Sequence, residues 1–301
     1  MKRKWIRRVS WILLTPVLLF VILMILLYIP PVQNLLRREV TAYASKATGM
    51  QIQVERIDLR FPLNLLVRGV EVIQQPDTLL SLESLNVRVQ AWPLVKGKVE
   101  VDEVTLSQVA FNSANLIEGM KIKGVLGRFF LQSHGVDLSN ELAVINQTEL
   151  SDTHVQMLMN DTTTTPKDTT ASAPVNWKVD LHKLKLKNVS FSMQLPADSM
   201  RMAAHIGEAF INDAQADLKN QFYELKQFLL SGSSANYDTG AAKPGEGFDA
   251  SHIAVRDIRI GLDSLLYKGR DMNAVIREFS MNERSGLSIT SLTGRAFSND
   301  S

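Results

Sequence analysis

Apolar and polar residues alternate along most of this chain, and the period of the alternation divides it into distinct stretches. Trp11 to Ile29, WILLTPVLLFVILMILLYI, contains nineteen consecutive residues without a charge. At ~1.5 Å per residue these reach ~28 Å, close to the hydrocarbon thickness of a bilayer, and the stretch predicts a membrane-spanning helix over 11–29. Lys2, Arg3, Lys4, Arg7 and Arg8 precede it and the first charge after it is Arg37. The positive-inside bias therefore makes 1–10 a cytoplasmic basic tail and puts everything after Pro30 on the far side, with Trp11 and Tyr28 at the two interfaces. A cleaved signal peptide is the competing reading. The apolar run exceeds a typical signal core, and Tyr28-Ile29-Pro30-Pro31-Val32-Gln33 is not a small-residue cleavage site. Either reading exports the remainder.

Pro30 and Pro31 break that helix, and 31–48 then resumes a helical pattern. Val32, Leu36, Val40, Tyr43 and Ala47 recur at spacings of three and four, leaving Arg37, Arg38, Glu39 and Lys46 mostly on the other side. Gly49 fits a left-handed cap. Such a helix either caps the open end of a sheet or lies on the membrane surface, and either reading keeps it near the bilayer.

From Met50 the period changes to two, which predicts strands over 50–160. Ile52 and Val54 alternate with polar neighbours, then Ile57 and Leu59 do so in shifted phase, which predicts a bulge or bend. Pro62-Leu63-Asn64, Gln75-Pro76-Asp77, Trp92-Pro93 and Lys96-Gly97-Lys98 punctuate the strands. Residues 161–175, rich in Thr and Pro, read as a linker or loop, and 176–301 continues the β pattern. Met200 to Ser231 fits strands, with helical spacing as the alternative, and Asn236 to Asp249 reads as a loop. Val99 to Leu106 and Leu184 to Phe191 share one grammar: two alternating apolar residues, two polar, then two more. That predicts a recurring unit. Gly124-x-x-Gly127 sits among what read as strand ends and is too common a pattern to indicate nucleotide binding. The chain stops at Ser301 directly after an apolar stretch, which reads as truncation of something longer.

Composition narrows the function classes. A net charge of +2 in 301 residues, with much of the basic excess in the first eight, argues against nucleic acid as a partner. Zero cysteines exclude a disulfide framework and a thiolate metal site, and the five histidines are scattered without a two-ligand helical spacing. No cofactor or metal is expected. Ser133-His134, Asp137 and Asp152-Thr153-His154 are the residue types of a hydrolase, but no nucleophile elbow or ordered triad accompanies them, so catalysis is not expected. Alternating strands give a sheet with one apolar face. That face is either packed against a second sheet or left lining a groove.

The opening, VQNLLRREVTAYASKATGMQIQVERIDLRFPLNL, after a basic start and a single anchor, resembles that of AsmA-like proteins. DTLLSLESLNVRVQAWPLVKGKVEVDEVTL, IKGVLGRFFL and RSGLSITSLTGRAF are similar to the translocation and assembly module TamB branch of that family. The resemblance implies a mainly β fold: an N-terminal transmembrane helix and an amphipathic capping helix, followed by an elongated, curled antiparallel sheet forming a groove. It implies an inner-membrane anchor with the bulk in the periplasm. The implied function is guidance of phospholipid between membranes, or translocation and assembly of outer-membrane proteins. Its partners would be acyl chains or nascent outer-membrane β-strands, together with an outer-membrane assembly partner reached through C-terminal sequence missing here. Val87, Val89, Val99 and Val101 are the candidates for the groove lining, with plain core packing as their alternative role, and Arg88, Glu100 and Asp102 should face water. A membrane-tethered scaffold that recruits partners by strand addition is the alternative function.

Overall fold

The computed structural model describes residues 28–61, 63–90, 92–93, 100–137, 140–159, 176–240 and 243–298. The basic tail 1–10, all but the last two residues of the expected span 11–29, the linker 161–175 and Val99 lie outside these. Among the described residues no helix is long and apolar enough to cross a membrane.

One helix, α1 (Pro30–Thr48), precedes twelve strands: β1 (Gln51–Arg60), β2 (Asn64–Gln74), β3 (Asp77–Val89), β4 (Val101–Asn112), β5 (Met120–Asp137), β6 (Leu142–Met159), β7 (Lys178–Leu195), β8 (Met200–Asp217), β9 (Phe222–Asp238), β10 (His252–Lys268), β11 (Asp271–Glu283) and β12 (Ser288–Ser298). They form one long, curled, open sheet whose spatial order is the order of the sequence. The mainly β expectation holds. Met200 to Ser231 is strand, because β8 and β9 alternate against flanking strands rather than burying a helical stripe. The loop expected from Asn236 begins later, since Asn236 to Asp238 still pair with β8.

The sheet is not antiparallel throughout, as the sequence reading had it: β6 and β7 run parallel, with Leu142 opposite Lys178 and Leu158 opposite Gln194. A parallel neighbour requires a connection that returns the length of the strand, unlike the short turns that join antiparallel neighbours.

α1 begins at Pro30, so the prolines start the helix rather than merely interrupting one. Their fixed φ and missing N–H suit the first turn. Gly49, at φ 70°, closes it with its N–H donating to Ser45 O. The face turned to β1 carries Gln33, Arg37 and Ser45, while Arg38, Glu39 and Lys46 stay exposed. Gln33 Nε2 donates to Leu59 O at 3.1 Å, Arg37 donates to Val54 O at 3.1 Å and to Glu55 O at 3.2 Å, and Ser45 Oγ accepts from Ile52 N at 3.1 Å. A bare strand edge presents main-chain N–H and C=O groups, which polar side chains satisfy and apolar ones cannot. Leu35, Leu36, Val40 and Tyr43 are left exposed, Tyr43 at 77%.

The phase shift between Val54 and Ile57 recurs on strand after strand. Val70 and Val67, Leu82 and Leu85, Val109 and Leu106, Leu126 and Phe129 are stepped in the same way, and they pair in register with one another. The ladder skips one pair at each step and resumes without slipping, because both partners carry the irregularity. The skipped residues form a row across the sheet: Glu55, Gly69, Glu83, Gln108, Gly127, Asp152, Asn188, Gly207 and Gly232. Gly69, Gln108, Asp152, Asn188 and Gly232 have positive φ, between 49° and 59°, a conformation that resets the pleat and lets two consecutive polar residues share the outer side. A second row runs through His134, Asn146, His182, Asp213, Lys226 and Asp263. On β6 to β9 it lies six residues from the first: Asn146 and Asp152, His182 and Asn188, Asp213 and Gly207, Lys226 and Gly232. These two creases are the structural basis of the two-apolar, two-polar grammar.

Candidate functional site: an apolar groove with a capped edge

Between the creases every strand contributes apolar side chains in register. Ile57, Val67, Leu85, Leu106, Phe129 and Leu150 form one line across β1 to β6, and Leu186, Ala209, Leu230 and Ile260 continue it through β10. A second line beside it runs from Leu59 through Leu65, Val87, Val104 and Leu131, is interrupted by Thr148 on β6, and resumes with Leu184, Ile211, Phe228 and Leu262. Cross-strand apolar pairs of this kind contribute roughly 0.2–1 kcal/mol each.

These lines are not the inside of a two-layer core. Only eight apolar residues are classed as buried, Ile57, Leu82, Val109 and Ala209 among them, and no described side chain is less than 2% exposed. A sandwich would bury such a face completely. Here nothing among the described residues covers it. With twelve strands at ~4.8 Å spacing, the apolar surface extends ~50 Å along the hydrogen-bonding direction.

Two hydroxyls beside the first crease are internally satisfied: Thr153 Oγ1 donates to Ser151 O at 3.2 Å and Ser233 Oγ to Ser231 O at 3.1 Å.

The outer side of the creases is polar and cross-linked. Asn188 Nδ2 donates to Asp152 Oδ1 at 2.8 Å, His182 Nδ1 and Asp213 Oδ1 lie 3.1 Å apart, Lys226 Nζ is 3.7 Å from Asp213 Oδ2, and Arg277 bridges to Asp263 at 3.1 Å. The hydrogen bond from His182, helped by Lys226, holds the Asp213 carboxyl below its ordinary range. At the far end of β9, Asp249 accepts from Gly245 N and Ser251 N and contacts His252 Nδ1, and its carboxyl is lowered chiefly by the two backbone bonds. Glu283 is lowered in the same direction, first by the bond from Ser285.

Val87 lies in the second apolar line, opposite Leu65 and Val104, and Val89 pairs with Val101 further along the same two strands. All three are half-buried. Val99 lies outside the described residues. Arg88 is on the outer side, bridged to Glu103 at 3.2 Å. Glu100 and Asp102 are half-buried rather than fully in water, and Asp102 accepts from Gln90 Nε2.

The residues of the hydrolase alternative are not brought together. Ser133 Oγ donates to Val101 O, His134 contacts Asn146, His154 contacts Gln156, and Asp152 bonds Asn188. Among the described residues no three His, Asp or Glu side chains group as metal ligands.

A second concavity was missed in the sequence. Between α1 and β1–β2 lies a cleft of about 750 Å³ lined by Arg37, Arg38, Thr41, Gln53, Glu55 and Glu71 among others. Arg37-Arg38, the first charged pair after the apolar run, was its one visible signal. Comparison with protein-family models and with curated proteins finds no match to this chain.

Proposed function

We propose that this chain is the inner-membrane end of an AsmA-like envelope protein of the TamB branch, anchored through Trp11 to Ile29. Its uncovered sheet face shelters phospholipid acyl chains, or nascent outer-membrane strands, on their way through the periplasm. The observation that carries this reading is the pair of apolar lines running from β1 to β10, interrupted at Thr148 alone, with no layer over them among the described residues. An exported protein gains nothing from such a surface in water, since exposure costs roughly 25 cal/mol per Å² of apolar area, unless something apolar occupies it. Guidance in this scheme is passive: the lines offer an apolar path without a binding pocket to leave, and no residue performs chemistry.

The test is site-specific photocrosslinking in native envelopes, with the probe placed in turn at Val87, Val101, Arg88 and Glu100. Phospholipid adducts at the valines and none at Arg88 are expected. Adducts only to other residues of this chain would mean a closed core and end the groove reading.

The scaffold alternative has its own observation. Among the described residues β12 pairs with β11 alone, and an unpaired strand edge can take an added strand. Charge reversals on the outer side, such as Arg88→Glu, should impair a scaffold more than a lipid conduit. Recruitment that survives them, with lipid adducts at Val87 retained, favours the conduit.

A further inference from the structure

We infer that the cleft between α1 and β1–β2 binds the headgroup of a zwitterionic phospholipid: a phosphodiester carrying an amine. The inference rests on the membrane-anchored groove reading and names the ligand at its membrane end. Two polar atoms in this region, Arg37 Nε and Thr41 Oγ1, are buried with no hydrogen-bond partner. A guanidinium N–H can only donate and a threonine hydroxyl can donate, so both await an acceptor. Buried donors of this sort cost free energy until one arrives. Arg38 stands one residue along the same helix and also lines the cleft. Two arginines and a hydroxyl are the donor set of a phosphate oxygen.

The opposite wall decides between a free anion and a zwitterion. Glu55 and Glu71 line the same cleft, and no ion pair among the described residues involves Arg37, Arg38, Glu55 or Glu71. Two positive and two negative side chains on one cavity make a poor site for inorganic phosphate, which the carboxylates repel. They suit a ligand with a phosphate at one end and an ammonium at the other. Position agrees with this. Leu35, Leu36, Val40 and Tyr43 are exposed on α1 at 56%, 38%, 47% and 77%, an apolar stripe that fits the acyl boundary of a bilayer when the helix lies in the interface. The cleft then opens at headgroup depth, next to β1, where both apolar lines of the groove start.

The test uses the full chain in detergent, with glycerophosphoethanolamine, glycerophosphoglycerol and inorganic phosphate as soluble probes, titrated calorimetrically. Arg37→Gln would also remove bonds to the β1 carbonyls, so Thr41→Val and Arg38→Gln carry the comparison, with circular dichroism showing that the sheet is kept. The expected result is preferential binding of glycerophosphoethanolamine, weakened about tenfold or more in each variant, and loss of that preference over glycerophosphoglycerol in Glu55→Gln/Glu71→Gln. No binding by the parent chain, equal binding of inorganic phosphate, or parent-like affinity in the variants overturns it. Photocrosslinking at Val87 separates this from the groove reading. Acyl adducts retained alongside a failed headgroup titration refute the cleft and leave the groove. Headgroup binding without acyl adducts supports the cleft and refutes the groove.

Discussion

Gly207 and Gly232 meet where the first crease passes from β8 to β9, and they need glycine for different reasons. A Cβ on Gly207 would sit 2.6 Å from Gly232 O and 2.9 Å from Ser231 O, both backbone atoms that cannot rotate away, whereas a Cβ on Gly232 meets nothing closer than 3.9 Å and suffers only from φ +59°. Gly207→Ala should therefore cost about 2–3 kcal/mol and Gly232→Ala about 1 kcal/mol, measured by urea unfolding. The reverse order would show that φ, not crowding, governs the crease. The carboxylates beside the creases give a pH dependence of definite sign. Asp213, Asp249 and Glu283 are all lowered in the folded chain by hydrogen bonds. Their contribution is fully present above the unfolded carboxylate range and is lost as pH falls through the folded values, so stability should drop below about pH 4. Asp249→Asn should flatten that drop in an acid titration followed by circular dichroism. At this scale the two-polar step was legible between Val101 and Val104 and between Leu186 and Val189. Its alignment into rows was not, because alignment depends on which residues pair. Gly124 and Gly127 likewise read as strand ends. Their place in the interior of β5 follows from neighbours that only pairing reveals, the Phe111 ring and Asp152.

α1 shows what periodicity can and cannot say about an element. The spacing of Val32, Leu36, Val40, Tyr43 and Ala47 located the helix and its apolar side, but a helical period defines a face without naming its neighbour. The neighbour is a strand edge with unpaired main-chain groups, and that selects the polar side. Replacing Gln33 and Ser45 together by Ala should remove two of the bonds to β1, at a cost of about 1 kcal/mol each. Hydrogen exchange at the Ile52 amide, which loses its acceptor, should rise most; unchanged exchange there would mean that α1 does not hold this edge. The parallel step at β6–β7 was invisible for a related reason. Both strands alternate as an antiparallel pair would, and the Thr- and Pro-rich stretch between them reads equally well as a hairpin loop or a crossover.

Among the described residues, each strand packs chiefly on the strands before and after it in the sequence. A chain built from nearest-neighbour interfaces behaves as a one-dimensional array, with stability close to a sum of local terms. Removal of β11 and β12 after Lys268 should therefore leave exchange protection in β1 to β8 nearly unchanged; collapse of protection throughout would reveal a long-range coupling. The alternation made a one-faced sheet legible from the start, but a packed core and an uncovered sheet have the same pattern, and what separates them is that no second layer is found among the described residues.

Because the creases keep one interval from β6 to β9, the apolar surface has the same cross-section along those strands, like a gutter drawn through a single die. Length and gauge are then independent quantities. Inserting another hairpin would lengthen the channel by ~10 Å with no new kind of contact, whereas widening it would require every strand to move its step at once. Such a surface can grow longer by small additions, while its width stays fixed.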